Sequence, residues 1–425
     1  MARLLRLDMP PVGEGRRWTV GVLVSSTCTR MTAVLIAAGG RGLDLQAQVA
    51  GALTAEVPQE TAASFGPLAG GRSNSGSAGS LTALRAALAE MQAVLVNELL
   101  SALGVASSRV LAVGVHDPGF WSFDRNRATG YLELCDAALL AETTGLSVID
   151  AFPARDLAQG GQGGPLTAKA EWILLRHPQR GRVLLDLGRT VRLSYLPPTL
   201  ADHAASRILS FEVGPGTAML DLLTRRLTAG QQRHDPGGRL AVQGRRIPEV
   251  IEHWLSDPYF DRPLPRWHPR GVRPERFLSD SIQMAVDSGW SVRDLLCSAT
   301  HLIAETIALA LRRRLPDDAK VDELVIAGGG RQNGMLLREI GRTTGMPLKQ
   351  VGELEIPDEA FGAACIAMLA QLYLDQVPAN ATAITKADVP RPLGRLTPGS
   401  PQNWQRLLQE TAGSSLAVRP LRSAL

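Results

Sequence analysis

The sequence predicts an α/β protein with a mixed sheet in each of two halves. Three observations carry this. At 425 residues the chain exceeds what one hydrophobic core holds, so two domains are expected. Short β-branched runs alternate with helical-period segments, as in layered α/β folds. Two strands also run directly into glycine turns followed by helices, the arrangement that sets backbone amides against a phosphate.

Residues 18–36 read as a hairpin, with Val20, Val22, Leu23 and Val24 in one strand, a Ser/Thr turn, and Ala33 to Ile36 returning. Residues 65–80 are Gly/Ser-rich and are expected to form a disordered loop. From Leu81 the apolar Leu84, Leu88, Met91, Leu95 and Leu99 recur at helical spacing, with Ser80 placed as N-cap. Residues 110–115 form a short buried strand, 137–143 a helix and 146–149 another strand. The second half opens with a strand at 183–185. A long helix at 292–314 then feeds a strand at 323–327, and Arg312, Arg313 and Arg314 close that helix where its dipole favours cations. Residues 399–402 look like a loop and 404–410 a short surface helix.

Hydrophobic residues at 45% and charged residues at 20% describe an ordinary globular chain. The net charge of +4 is carried almost wholly by arginine, since Lys169, Lys320, Lys349 and Lys386 are the only lysines. No basic stretch is interleaved with aromatics, so nucleic acid is not an expected partner. Cys28, Cys135, Cys297 and Cys365 show no CxxC spacing and read as reduced thiols. Residues 1–17 lack the apolar core of a signal peptide, and no run reaches the ~18 uninterrupted apolar residues of a membrane helix. A cytoplasmic location without membrane contact is expected.

The most informative stretch is Arg155-Asp156-Leu157-Ala158-Gln159-Gly160-Gly161-Gln162-Gly163-Gly164-Pro165-Leu166. Glycine and proline oppose both helix and central strand, so irregular structure is expected, with Asp156 at its entrance as a candidate general base or ion ligand. A plain flexible surface loop would have the same composition. The glycine turns ahead of helices are Gly214-Pro215-Gly216 and Gly328-Gly329-Gly330, the latter followed by Asn333. Each alone is a weak signal. The histidines lack ligand spacing to one another, so metal chelation by histidine is not expected.

The 155–166 run resembles the signature R-D-x-A-x-G-G-Q-G-A-P-L of the anhydro-N-acetylmuramic acid kinases, enzymes of cell-wall recycling. The likeness extends from about Gly21 to Gly399. Residues 131–136 resemble T-L-Q-x-G-D, and Gly214-Pro215-Gly216 resembles D-T-G-P-G-N with Asp221 behind it. Asp257-Pro258-Tyr259-Phe260 with Arg262-Pro263 resembles D-P-Y-F-x-x-x-P-P-K. Gly328-Gly329-Gly330 with Asn333 resembles the adenosine turn G-G-G-x-x-N, and Leu393-Gly394 the closing L-G.

The resemblance implies a two-lobed actin-like, hexokinase-like ATPase fold with a central cleft. Lobe I would span residues 1–130, with part of 390–425 returning to it, and lobe II 131–389. Asp156 would activate water to open the 1,6-anhydro bridge, and the freed O6 would take the γ-phosphoryl of MgATP. Ser26, Thr27, Gly188, Gly214, Pro215, Gly216, Gly328, Gly329, Gly330 and Asn333 would hold the nucleotide. His116, Arg155, Gly161, Gln162 and Gly163 would hold the sugar. ATP and Mg2+ are the implied cofactors, with metal ligands unknown. The expected partners are a small-molecule sugar and a nucleotide, with a homodimer left open.

The departures fall at polar positions. The first phosphate loop, G-T-S-x-D-G-x-D in the family, reads Ser25-Ser26-Thr27-Cys28-Thr29-Arg30-Met31-Thr32, so both aspartates are threonine and a glycine is arginine. G-x-H-G-Q-T survives as Gly114-Val115-His116 and then Asp117-Pro118-Gly119. N-x-G-G-x-x-N reads residues 186–192, from Asp186 to Arg192. D-T-G-P-G-N begins with Glu212, the K-S-T-G-R-E tail is replaced by residues 266–270, and Phe152-Pro153 stands for Phe-Arg. Three readings remain open: a divergent kinase in which Glu212, Asp186 or Asp117 takes over metal duties, a pseudokinase, and a sugar-binding sensor.

Overall fold

The computed structural model describes residues 3–7, 15–70, 78–124 and 127–412. The chain divides into two compact units: residues 1–159, 362–380 and 389–425 form the first, and residues 160–361 and 381–388 the second.

The first unit is built on strands β1 (Arg3–Arg6), β2 (Arg17–Val24), β3 (Arg30–Gly39), β4 (Gln46–Glu56), β5 (Val110–His116) and β8 (Ser147–Asp150), with a hairpin of β6 (Phe120–Asp124) and β7 (Arg127–Leu132) apart from the main sheet. The sheet order is β1-β4-β3-β2-β5-β8, closed by the strand Arg395–Thr397. Strands β2, β5 and β8 run parallel, and β3 and β4 continue antiparallel from β2. The predicted hairpin is β2–β3, paired from Arg17 and Ala38 to Val24 and Met31.

This unit does not end at residue 130. The parallel pairing of β5 with β8 draws the chain on to Gln159, and Arg395–Thr397 pairs with β8 from far along the chain. Residues 362–380 join it as well. Arg17 donates both Nη atoms to Asp375, at 2.5 and 2.8 Å, and Gln371 Nε2 reaches Thr19 Oγ1 at 3.2 Å, tying helix Phe361–Leu374 and its sequel to β2.

The second unit repeats the plan. Its strands are β9 (Arg182–Leu187), β10 (Thr190–Leu196), β11 (Leu209–Pro215), β12 (Glu323–Ala327) and β13 (Leu348–Gln350), in the order β11-β10-β9-β12-β13. β9, β10 and β11 are antiparallel neighbours, and β12 and β13 run parallel to β9. Counted from each unit's first central strand, both sheets contain the order 3-2-1-4-5. This duplicated α/β plan is the one expected of actin-like ATPases.

The core helix of the second unit, Val292–Arg314, matches its predicted bounds because its signals are local. Ser291 and Asp294 form a reciprocal capping box at the start, and three arginines stand at the end. Helices Ala78–Leu103 and Val292–Arg314 are long and apolar enough by composition to cross a membrane; 78% of the most apolar window of the second is buried within the protein.

Three local expectations are corrected. Residues 65–70 are helical, as the end of helix Gln59–Gly70, while residues 71–77 lie outside the described residues. The next helix begins at Ala78, so Ser80 lies inside it and is no N-cap. Pro401 and Gln402 open helix Pro401–Ala412 instead of belonging to a loop, as Pro fits the first helical turn.

Candidate functional site

In parallel α/β sheets, ligand-binding loops gather beyond the carboxyl ends of the strands. In the first unit the loops after β2, β5 and β8 leave from that end. At that end stand Ser26 and Thr27 after β2, His116 as the last residue of β5 with Asp117 after it, and Asp156 on the segment that follows β8.

Asp156 is not in irregular structure. It lies on the short helix Phe152–Ala158, which Pro153 helps start, while the glycines that oppose helix formation begin only at Gly160. Its side chain is buried with 0% exposure, and Asn380 Nδ2 donates to Asp156 Oδ1 at 2.7 Å. Asn380 is itself 1% exposed, and its Oδ1 accepts the backbone N–H of Arg391 at 2.8 Å. Arg155, one residue before, is exposed.

The β2–β3 turn is closed by its own hydrogen bonds. Ser25 Oγ accepts the amides of Thr29 and Arg30, each at 3.1 Å, and the Cys28 amide donates to Ser25 O at 2.8 Å. Ser26 and Thr27 are exposed, and Thr27 and Thr29 share a hydroxyl contact at 2.9 Å. Thr32 is drawn into the sheet, 3.0 Å from the Thr54 hydroxyl. His116 ends β5, and burial lowers its pKa to about 4, so at neutral pH it is an uncharged imidazole.

In the second unit, Asp186 lies near the end of β9 and Gly188 follows it, Gly214-Pro215-Gly216 close β11, and Gly328-Gly329-Gly330 follow β12. The structure brings these turns together, but largely against one another. Gly216 N and Ala218 N donate to Arg189 O, and Thr217 N to Gly188 O. The first amides of helix Thr217–Leu227 are therefore spent on protein carbonyls, correcting the expectation that Gly216 presents them to phosphate. A Cβ at Gly216 would stand 2.3 Å from Gly188 O, so only glycine allows this approach. Gly214 packs against the Phe260 ring and Pro215 is buried, so neither offers a ligand surface of its own.

Gly328 has φ +80° and would set a Cβ 2.5 Å from Asp186 Oδ1. Gly329 is exposed, with nothing within 4 Å of where its Cβ would be, so this turn leaves room for a ligand to approach the backbone. Asn333 caps helix Gly334–Thr344 by accepting the Leu336 amide at 3.0 Å, which gives it a structural task. Gly161 and Gly163 are buried, and the Gln162 amide donates to Thr385 O at 2.8 Å, while its side-chain Nε2 is buried and has no hydrogen-bond partner among the described residues.

The carboxylates expected to replace the missing magnesium ligands have other tasks. Asp117 takes four donors: the amides of Gly119, Leu134 and Cys135 and the Tyr131 hydroxyl, at 2.9 to 3.1 Å. Burial raises its pKa to about 6 although these bonds pull downward. Asp186 pairs with Arg192 at 3.3 Å, and the same guanidinium reaches Glu171 at 2.7 Å. Burial alone would raise Glu171, but Arg192 overrides it and holds that carboxyl below its usual range. Among the described residues no group of three or more His, Cys, Asp or Glu side chains is arranged to hold a metal. The side chains do not fit a carboxylate-held magnesium.

Burial lifts Glu212 from its ordinary 4.5 to about 8, against the lowering effect of the His268 backbone hydrogen bond, Arg266 and Arg192. Between those two pH values the unfolded chain releases this proton while the folded chain keeps it. The folded state then binds more protons, so its stability falls as pH rises through the window. Glu212→Gln is expected to lessen that fall, measured as the difference in urea midpoint between pH 5 and pH 8. An identical difference in wild type and variant would take Glu212 out of the pH response.

Sequence reasoning missed Asn380, Arg192 and Arg266. Arg266 lies where the family tail departs, yet it is a buried brace: it donates to the carbonyls of Glu212 and Tyr259 at 2.8 Å and of Val213 at 3.1 Å, and stacks 4.6 Å above the Tyr259 ring. Asn380 meets its partner across 224 positions of sequence, a separation that no local motif signals.

The profile of the family "Anhydro-N-acetylmuramic acid kinase" matches residues 28–399. A relative of that name from Acaryochloris marina is 30% identical over 383 residues, covering 89% of this chain and 98% of the relative. Relatives of the same name from Salinibacter ruber and Neisseria meningitidis are 29% and 30% identical, covering 91% and 72% of this chain and 98% and 80% of their own lengths. With the family pattern running over residues 28–399, Asp156 included, the chain belongs to the anhydro-N-acetylmuramic acid kinase family.

Proposed function

We propose that the protein is an ATP-dependent sugar kinase acting on anhydro-N-acetylmuramic acid, with Asp156 as general base. The observation that carries this reading is the retained Asp156, buried and hydrogen-bonded to a neutral amide, in a chain whose family match spans residues 28–399. Asp156 takes a proton from water as the water oxygen bonds to the anomeric carbon. The anomeric bond to O6 breaks, and O6 then attacks the γ-phosphorus of ATP, releasing ADP and leaving N-acetylmuramic acid 6-phosphate. A buried carboxylate suits the first step, because excluding bulk water strengthens its hold on the one water to be activated. The Gly328–Gly330 turn, open at Gly329, suits the adenosine side of ATP.

His116, Arg155, Gly161, Gln162 and Gly163 are assigned to the sugar in this reading, and Ser26, Thr27 and Gly188 to the nucleotide. Since the local carboxylates do not suit magnesium, no step is routed through the metal. The same observation favours a second reading, a pseudokinase that keeps the sugar and no longer transfers phosphate.

Incubation with the anhydro sugar and MgATP separates them. The kinase reading expects ADP and the 6-phosphate sugar in equal amounts, followed by mass spectrometry. Calorimetric binding of the sugar without either product would replace it with the second reading.

A further inference from the structure

The contacts of Asp156 include a hydrogen bond from a neutral side chain whose orientation is itself fixed. The backbone N–H of Arg391 must meet an acceptor, so Asn380 turns its Oδ1 toward it at 2.8 Å, which directs Nδ2 to Asp156 Oδ1 at 2.7 Å. Both side chains are buried, at 0% and 1% exposure, where a hydrogen bond is stronger than in bulk water. We propose that Asn380 is the positioning residue of the general base, setting the Asp156 carboxylate toward the water it activates; this rests on the kinase reading above. An amide suits the task. It restrains one carboxylate oxygen by a hydrogen bond without placing a full positive charge beside a group that must accept a proton.

Two variants separate positioning from bracing of the 380–391 turn. Asn380→Ala removes the hydrogen bonds to Asp156 Oδ1 and from Arg391 N–H. Asn380→Asp keeps an acceptor for Arg391 N–H while replacing the donor facing Asp156 with a second carboxyl. Misplacing a catalytic group by about 1 Å costs on the order of 10²-fold, so both variants are expected to lower kcat by about that factor with KM for the sugar little changed. Asn380→Asp should melt closer to wild type than Asn380→Ala. A normal kcat in Asn380→Asp would reduce Asn380 to a turn brace and overturn the proposal.

A second measurement needs no turnover. In a crystal structure of Asn380→Ala, the Asp156 carboxylate should leave its wild-type orientation while the helix Phe152–Ala158 stays in place. An unmoved carboxylate overturns the proposal. A wild-type chain without turnover would instead fail the kinase reading, leaving this structural outcome to decide the role of Asn380.

Discussion

Asp156→Asn is expected to abolish opening of the anhydro ring, and with it phosphate transfer. Loss of a general base typically costs about 10²–10⁴-fold, the largest effect any single substitution here should have on turnover. The fold should tolerate it. The substituted amide has nearly the carboxylate's shape, and its oxygen still accepts the 2.7 Å hydrogen bond from Asn380 Nδ2. What is lost is the ability to take a proton. Asp156→Ala is the informative contrast, since it removes the buried acceptor that Asn380 Nδ2 meets at 2.7 Å, a cost of about 1–3 kcal/mol in stability. Both variants should be inactive, but only the Ala variant should melt clearly earlier. Product formation in Asp156→Asn close to the wild-type rate would remove this carboxylate from the chemistry.

The contrast between what the sequence revealed and what it hid follows from the range of the interactions. Helix Val292–Arg314 was legible residue for residue because its capping box and terminal arginines are local. The β2–β3 hairpin and strand Glu323–Ala327 were legible because apolar runs bounded by turns have few other ways to fold. The division into units was not. It depends on β5 pairing with β8 and on Asp375 reaching back 358 positions to Arg17, neither of which leaves a periodic trace. The glycine turns show a subtler failure. Their composition was read as space for phosphate, yet at Gly216 the space is filled by the carbonyls of Gly188 and Arg189. Composition reports that the backbone can be approached closely, but not by what. Helical structure at Asp156 was missed because the disruptive glycines lie after it, and a helix of only seven residues can end before they act.

Magnesium is expected to add little to ATP affinity in the wild-type chain, because each carboxylate that might replace the lost ligands is already engaged. Asp117 is filled by four donors, Asp186 faces Arg192, and burial keeps Glu212 protonated at neutral pH. Magnesium requires near-ideal octahedral oxygen ligation and gives up its waters reluctantly, so a carboxylate that must first leave an arginine is a poor recruit. Arg30, exposed on the β2–β3 turn, supplies positive charge without a metal, which should let metal-free ATP bind nearly as well as MgATP. The triple variant Thr29→Asp, Arg30→Gly, Thr32→Asp should reverse this. It restores two carboxylates and removes the competing guanidinium, and the Thr54 hydroxyl, 3.0 Å from the present Thr32 oxygen, can donate to the new carboxylate within the sheet. Titration calorimetry of ATP with magnesium and with EDTA, on both proteins, reads the effect directly. The expected outcome is a small difference for wild type and a large one for the variant. A large difference already present in wild type would mean that Asp186 gives up Arg192 when nucleotide arrives, and Arg192→Ala, which frees that carboxylate, should then tighten MgATP binding further.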